Sequence, residues 1–173
     1  MVKSICHSNT ICEHWNWASN ISYNNIDDFK IEVTKHGFTH VDAPSHMIND
    51  GKSLSECQLD LLCGWAKIID VSECIGDKPI TEQTLKDKIK YIEEGDIVIL
   101  KSNLNDLYPN TSDQYWKNSP FLEDSGSNLL VSKKIKSLVF DFPQDRAAKD
   151  LQFRVVLNKA VSYTHLTLPT RAV

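Results

Sequence analysis

Three short apolar runs, Trp65–Val71, Ile97–Leu100 and Leu138–Phe142, punctuate the middle of this chain. Each has the length of a buried strand and is too short for an independent helix. Proline at 143 stops the third run, because it removes a backbone donor. Between the first two runs, Thr81 to Ile92 reads as a helix. Thr81 can cap it, Glu82 suits its positive N-terminal end, and Leu85, Ile89 and Ile92 form an apolar stripe. Between the second and third runs, residues 103–120 read as a polar loop with one short helical piece. Ser125-Gly126-Ser127 then precedes a helical or extended stretch to Ile135. Strands separated by helical segments predict an α/β domain, a mixed β-sheet with flanking helices.

The 173 residues suffice for one domain, here residues 1–160, and 41% hydrophobic with 24% charged residues is a globular composition. A formal net charge of −4 with no basic stripe argues against a nucleic-acid partner. The first 20 residues lack the apolar core of a signal peptide, and no run approaches a membrane span. Five cysteines without a C-x-x-C pair read as reduced thiols, so a cytoplasmic location is expected. The first 30 residues read as irregular with one short strand. Phe29 to Val33 alternates apolar and polar side chains, as a half-buried strand does. Ser53 and Ser55 are candidate caps for a short helix running through Gln58 to Leu62, ended by Gly64.

Chemistry concentrates in one place. Residues 36–46 read H-G-F-T-H-V-D-A-P-S-H, three imidazoles and a carboxylate in eleven positions. His36 and His40 are four apart, but the H-E-x-x-H of helical zinc sites is absent and Pro44 disfavours helix at Ala43. The segment therefore reads as a strand end entering a loop, with a turn at Asn49-Asp50-Gly51. Alternate residues of an extended chain face one side. His36, His40 and Asp42 then form one row able to converge on a divalent metal, with coordination positions left open for catalysis. His46 falls beyond Pro44, off that row, and is the candidate general acid and base.

These residues resemble the cyclase family of metal-dependent hydrolases, which includes bacterial kynurenine formamidase and isatin hydrolase. The family pattern is H-x-G-T-H-x-D-x-P-x-H, and His36, Thr39, His40, Asp42, Pro44 and His46 occupy its places. Asp50-Gly51 and the D-F-P-Q-D of residues 141–145 extend the resemblance, which covers approximately Phe29 to Arg154. It implies a swivelling β/β/α fold and Zn2+ or Mn2+ held by His36, His40 and Asp42. It also implies catalysis by His46 and a homodimer or larger assembly. The implied reaction is hydrolysis of a small amide or lactam C–N bond through metal-activated water.

The sequence departs from the pattern in two places. Phe38 stands where the motif has glycine. The family also completes its metal site with a later His and Glu; His165 stands at a suitable distance for the first, and no acidic residue follows Asp150. The domain is thus expected to be incomplete at its C-terminal end. Residues 161–173, V-S-Y-T-H-L-T-L-P-T-R-A-V, break with the preceding pattern. They read either as an edge strand from Val161 to Leu168 or as a translated cloning or sequencing adaptor. Two other functional readings compete with the hydrolase: a catalytically inactive relative serving as a binding module, and a zinc-stabilised structural protein using His and Cys ligands such as Cys57 and Cys63. Trp15, Trp17, Phe38 and Trp65 are expected to pack in the core rather than line a pocket.

Overall fold

A computed structural model describes residues 19–23, 29–33, 39–46, 48–143 and 162–165; for the first two stretches and the last, the description is of the backbone. Strands β1 (Ser19–Tyr23) and β2 (Phe29–Val33) form an antiparallel pair of their own, with Ser19 opposite Val33 and Tyr23 opposite Phe29. The main sheet contains β3 (His40–Asp42), β4 (Ala66–Asp70), β6 (Ile97–Lys101), β8 (Ser137–Phe140) and β9 (Ser162–His165). Its order is β3-β9-β8-β6-β4. Strands β4, β6, β8 and β9 run parallel, and β3 closes one side antiparallel to β9. The small strands β5 (Pro79–Ile80) and β7 (Phe121–Leu122) pair parallel outside this sheet. The fold is α/β with a mixed sheet, as expected.

The helices are shorter than the apolar periodicity predicts. Helix α1 is confined to Glu82–Leu85, capped as expected by the Thr81 hydroxyl, which accepts from the Thr84 N–H at 3.3 Å. Beyond it the chain continues in turns, with Lys88 N–H bonded to the Leu85 carbonyl and Ile92 N–H to that of Ile89. Three-residue closures tighten the chain away from α geometry, yet Leu85, Ile89 and Ile92 all stay buried. The polar stretch after β6 holds two helical pieces rather than one, α2 (Leu104–Leu107) and α3 (Asp113–Lys117). Helix α4 (Asp124–Ser132) begins before Gly126, not after it. Its reason is packing: a Cβ at Gly126 would lie 2.5 Å from the Ile80 carbonyl oxygen, so glycine lets the helix backbone rest on β5. Ser53 takes the N-cap position, its N–H and hydroxyl donating to the Glu56 carboxylate, but the helix it opens is the 3-10 turn Leu54–Glu56, and a second 3-10 turn, Leu59–Leu62, follows.

The core lies where β6 and β8 meet these helices. Val98, Leu100, Leu138, Phe140, Leu104, Leu130, Leu85 and Ile80 are fully buried. All four residues of β8 are buried, as befits a strand covered on both faces. Phe140 and Phe142 meet edge-on, their ring centroids 5.3 Å apart. Strand β4 corrects an expectation. The Trp65–Val71 run is not a buried strand, because it is the outer strand of the sheet: Ile69 is buried, while Ile68 is 57% and Trp65 is 87% exposed. Trp65 is therefore not part of the core. Trp15, Trp17 and Phe38 lie outside the described residues. Among the described residues, no helix is long and apolar enough to cross a membrane.

Candidate functional site

Parallel strands place their carboxyl ends on one side of a sheet, and that side is where α/β folds gather ligands. Register defines it here. His40 of β3 pairs with His165 of β9, His165 with Phe140 of β8, Phe140 with Leu100 of β6, and Leu100 with Ile69 of β4. This transverse row holds the last residues of β8 and β9 and the next-to-last residues of β6 and β4. Because β3 runs the other way, its first residue, His40, pairs with the last residue of β9 at the carboxyl end of the sheet.

Within β3 the period of two puts His40 and Asp42 on one face. Their side chains meet: His40 Nε2 lies 3.8 Å from Asp42 Oδ1. Asp42 is buried, and the His40 side chain is 17% exposed. A buried carboxylate beside an imidazole needs positive charge or hydrogen bonds to offset its lost hydration. Two ligands on one tetrahedral ion sit roughly 3.3–3.5 Å apart, so this pair fits a shared divalent cation with a small adjustment. His36, the third member of the expected row, lies outside the described residues. His165 stands opposite His40 in the backbone ladder. Among the described residues, no three His, Cys, Asp or Glu side chains cluster as a metal site. Cys57 and Cys63 are free thiols and supply no such cluster.

His46 is exposed at the end of a 3-10 turn, Pro44–His46, directly after β3. Pro44 ends the strand as its chemistry requires. The turn is held from behind by the next loop. His46 N–H donates to the Ala43 carbonyl at 2.9 Å, Ile48 N–H to that of Pro44 at 3.0 Å, and Ser45 N–H to that of Lys52 at 3.0 Å. Asp50 takes the left-handed conformation, φ 64°, so the expected turn at residues 49–51 is present. The tail also differs from expectation. Residues Ser162–His165 form a strand inside the sheet, between β3 and β8, rather than at its edge.

The D-F-P-Q-D string contributes one residue to this side of the sheet. Asp141 follows β8 and is buried. Its Oδ1 accepts the Ser102 N–H at 2.7 Å and the Ser102 hydroxyl at 2.8 Å, and its Oδ2 accepts the Asn103 N–H at 3.0 Å. Asn103 is left-handed, φ 60°, and opens α2. The carboxylate thus ties the exit of β6 to the exit of β8. At the exit of β4, Asp70 makes a purely local turn: the Ser72 hydroxyl and N–H both donate to its Oδ1, and these bonds hold its carboxyl below the usual range. Burial, reinforced by the Asp141 charge, pushes the Tyr115 hydroxyl well above its ordinary value. The D-F-P-Q-D string marks Asp141 by resemblance alone and does not reveal its partner; only the fold brings Ser102 to it.

The family model Cyclase matches residues 5–144. The chain belongs to the Cyclase family. Among curated relatives, a kynurenine formamidase of Bacillus anthracis is 29% identical over 103 residues, 58% of this chain and 48% of the relative. That of Bacillus mycoides (strain KBAB4) is 43% identical over 53 residues, 30% of this chain and 25% of the relative. The matched part thus spans about half or less of these relatives' length. Solved structures share the Cyclase chain's fold. An isatin hydrolase A from Labrenzia aggregata superposes with TM-score 0.69 at 17% identity, covering 86% of this chain and 69% of that one. A predicted metal-dependent hydrolase from Bacillus stearothermophilus gives TM-score 0.65 at 24% identity, covering 86% and 70%.

Proposed function

We propose that this Cyclase-family chain carries the catalytic motif of a metal-dependent hydrolase that cleaves a small amide or lactam C–N bond, arylformamidase-like in type. The observation that supports it is the His40–Asp42 pair, 3.8 Å apart at the carboxyl edge of the sheet, in a chain whose relatives are named kynurenine formamidase and isatin hydrolase. His36, His40, Asp42 and His165 would hold the ion, Zn2+ or Mn2+. When bound, the ion supplies Lewis acidity at the substrate carbonyl and a more acidic water. The chain's own groups do the rest. Asp42, buried, offers the negative charge that keeps a cation at the edge. His40 supplies a neutral imidazole donor beside it. His46, exposed on its turn, takes a proton from water and returns it to the leaving nitrogen. A homodimer or larger assembly is part of this reading.

The test is elemental analysis of the purified chain and of His40→Ala after Zn2+ or Mn2+ loading, followed by hydrolysis of N-formylkynurenine and isatin. About one ion per chain in the parent, lost in His40→Ala, supports the site. Equal, negligible metal in both sinks it. A second reading, a non-catalytic relative acting as a binding module, is favoured by Phe38 in place of the motif glycine. It predicts metal retention with neither substrate hydrolysed.

A further inference from the structure

Gly51 is the residue on which the His46 turn rests. A Cβ at Gly51 would lie 2.8 Å from the Pro44 carbonyl carbon, 2.8 Å from the Ser45 nitrogen and 2.9 Å from the Pro44 oxygen. All three are backbone atoms, so no side-chain rotation could relieve the overlap. They also belong to the turn that ends in His46. The turn cannot retreat without cost, because Ser45 N–H is bonded to the Lys52 carbonyl and Ile48 N–H to the Pro44 carbonyl, each at 3.0 Å. Gly51 N–H in turn donates to the Ile48 carbonyl at 3.0 Å, which closes the loop on itself. Downstream, the loop is anchored at Ser53, whose N–H and hydroxyl both donate to the Glu56 carboxylate, at 2.8 and 2.6 Å. The requirement at position 51 is therefore close approach of two backbone segments, and only a residue without Cβ meets it.

We propose that Gly51 is a positioning residue: by letting the 48–52 loop lie directly against Pro44 and Ser45, it sets where His46 stands relative to β3. Any side chain at 51 displaces the Pro44–His46 turn while His40 and Asp42, held in the sheet ladder, stay in place. The catalytic consequence rests on the role proposed for His46; the positional one does not.

The experiment compares Gly51→Ala with Asn49→Ala, a substitution in the same loop that brings no atom against Pro44. Histidine ring signals are followed by NMR in the full chain, assigned with His40→Ala and His46→Ala. In Gly51→Ala the His46 signal should move and the His40 signal should hold; in Asn49→Ala both should hold. Zn2+ affinity by calorimetry should stay within about threefold of the parent in Gly51→Ala. A His46 signal unmoved in Gly51→Ala overturns the proposal, as does global loss of far-UV circular dichroism in that variant. Where the chain hydrolyses N-formylkynurenine or isatin, Gly51→Ala should lower kcat at least tenfold with little change in KM. Adding it to His46→Ala should then cost nothing further, whereas independent losses in the double variant would count against positioning. A chain inactive on both substrates whose His46 signal still moves would remove the hydrolase reading and leave the positioning intact.

Discussion

His40 Nε2 stands 3.8 Å from Asp42 Oδ1, and the carboxylate of the pair is buried. Two residues apart on a strand, the side chains meet because the pleat puts them on one face. Removing the imidazole leaves a buried carboxylate with less to offset its lost hydration. Asp42→Asn should therefore keep the fold and lower Zn2+ affinity at least tenfold, whereas His40→Ala should lower both affinity and stability, the latter by about 1–3 kcal/mol. Calorimetric Zn2+ titration and urea unfolding of the metal-free proteins check the two arms separately.

Asp141 joins two strand exits through three hydrogen bonds from Ser102 and Asn103. Asp141→Ala would leave buried donors without acceptors, at a cost of about 2–4 kcal/mol. Urea unfolding should show that loss as a lower midpoint with an unchanged slope. A change under 0.5 kcal/mol, about the size of an ordinary surface substitution, would contradict the tie.

Gly126 lets α4 rest on the Ile80 carbonyl, where a Cβ would come within 2.5 Å. Gly126→Ala gains helix propensity worth about 1 kcal/mol but forces the helix off β5. The clash should win, with a net loss of about 1–3 kcal/mol in thermal unfolding.

Tyr115 supplies a pH test. Its hydroxyl is pushed above its ordinary value of about 10, first by burial and then by the Asp141 charge. The unfolded chain therefore releases this proton before the folded chain does. The resulting stability is complete below about pH 10 and is lost as pH rises toward the folded value, at no more than about 1.4 kcal/mol per pH unit. Urea midpoints at pH 8 and pH 11 should fall more steeply in the parent than in Tyr115→Phe.

The contrast between strands is measurable too. Trp65→Ala, at a position 87% exposed, should change stability by less than about 0.5 kcal/mol, while Phe140→Ala, fully buried, should cost about 3–5 kcal/mol. Chemical denaturation of both variants decides it.

Much of this molecule follows from local chemistry that the sequence displays. The runs at 97–100 and 138–142 are strands because apolar residues of that length need a sheet to hide in. Pro44 ends β3 because it lacks an N–H, and Thr81 caps α1 because its hydroxyl can accept. The H-x-x-x-H-x-D string by itself puts His40 and Asp42 on one face, since a period of two is a property of extended backbone. Tertiary structure decided what depends on neighbours distant in the chain. Ile68 is exposed on β4, the outer strand, and Trp65 just before it, a matter of sheet order and not of hydropathy. The helical position 126 requires glycine because the backbone of Ile80, far upstream, occupies the space a side chain would need. Asp141 is a structural tie only because folding brings Ser102 to it, and Gly51 matters because Pro44 and Ser45 press against it. Periodicity and capping are written residue by residue; strand order, close approach and the pairing of buried polar groups arise only when separate segments compete for the same space.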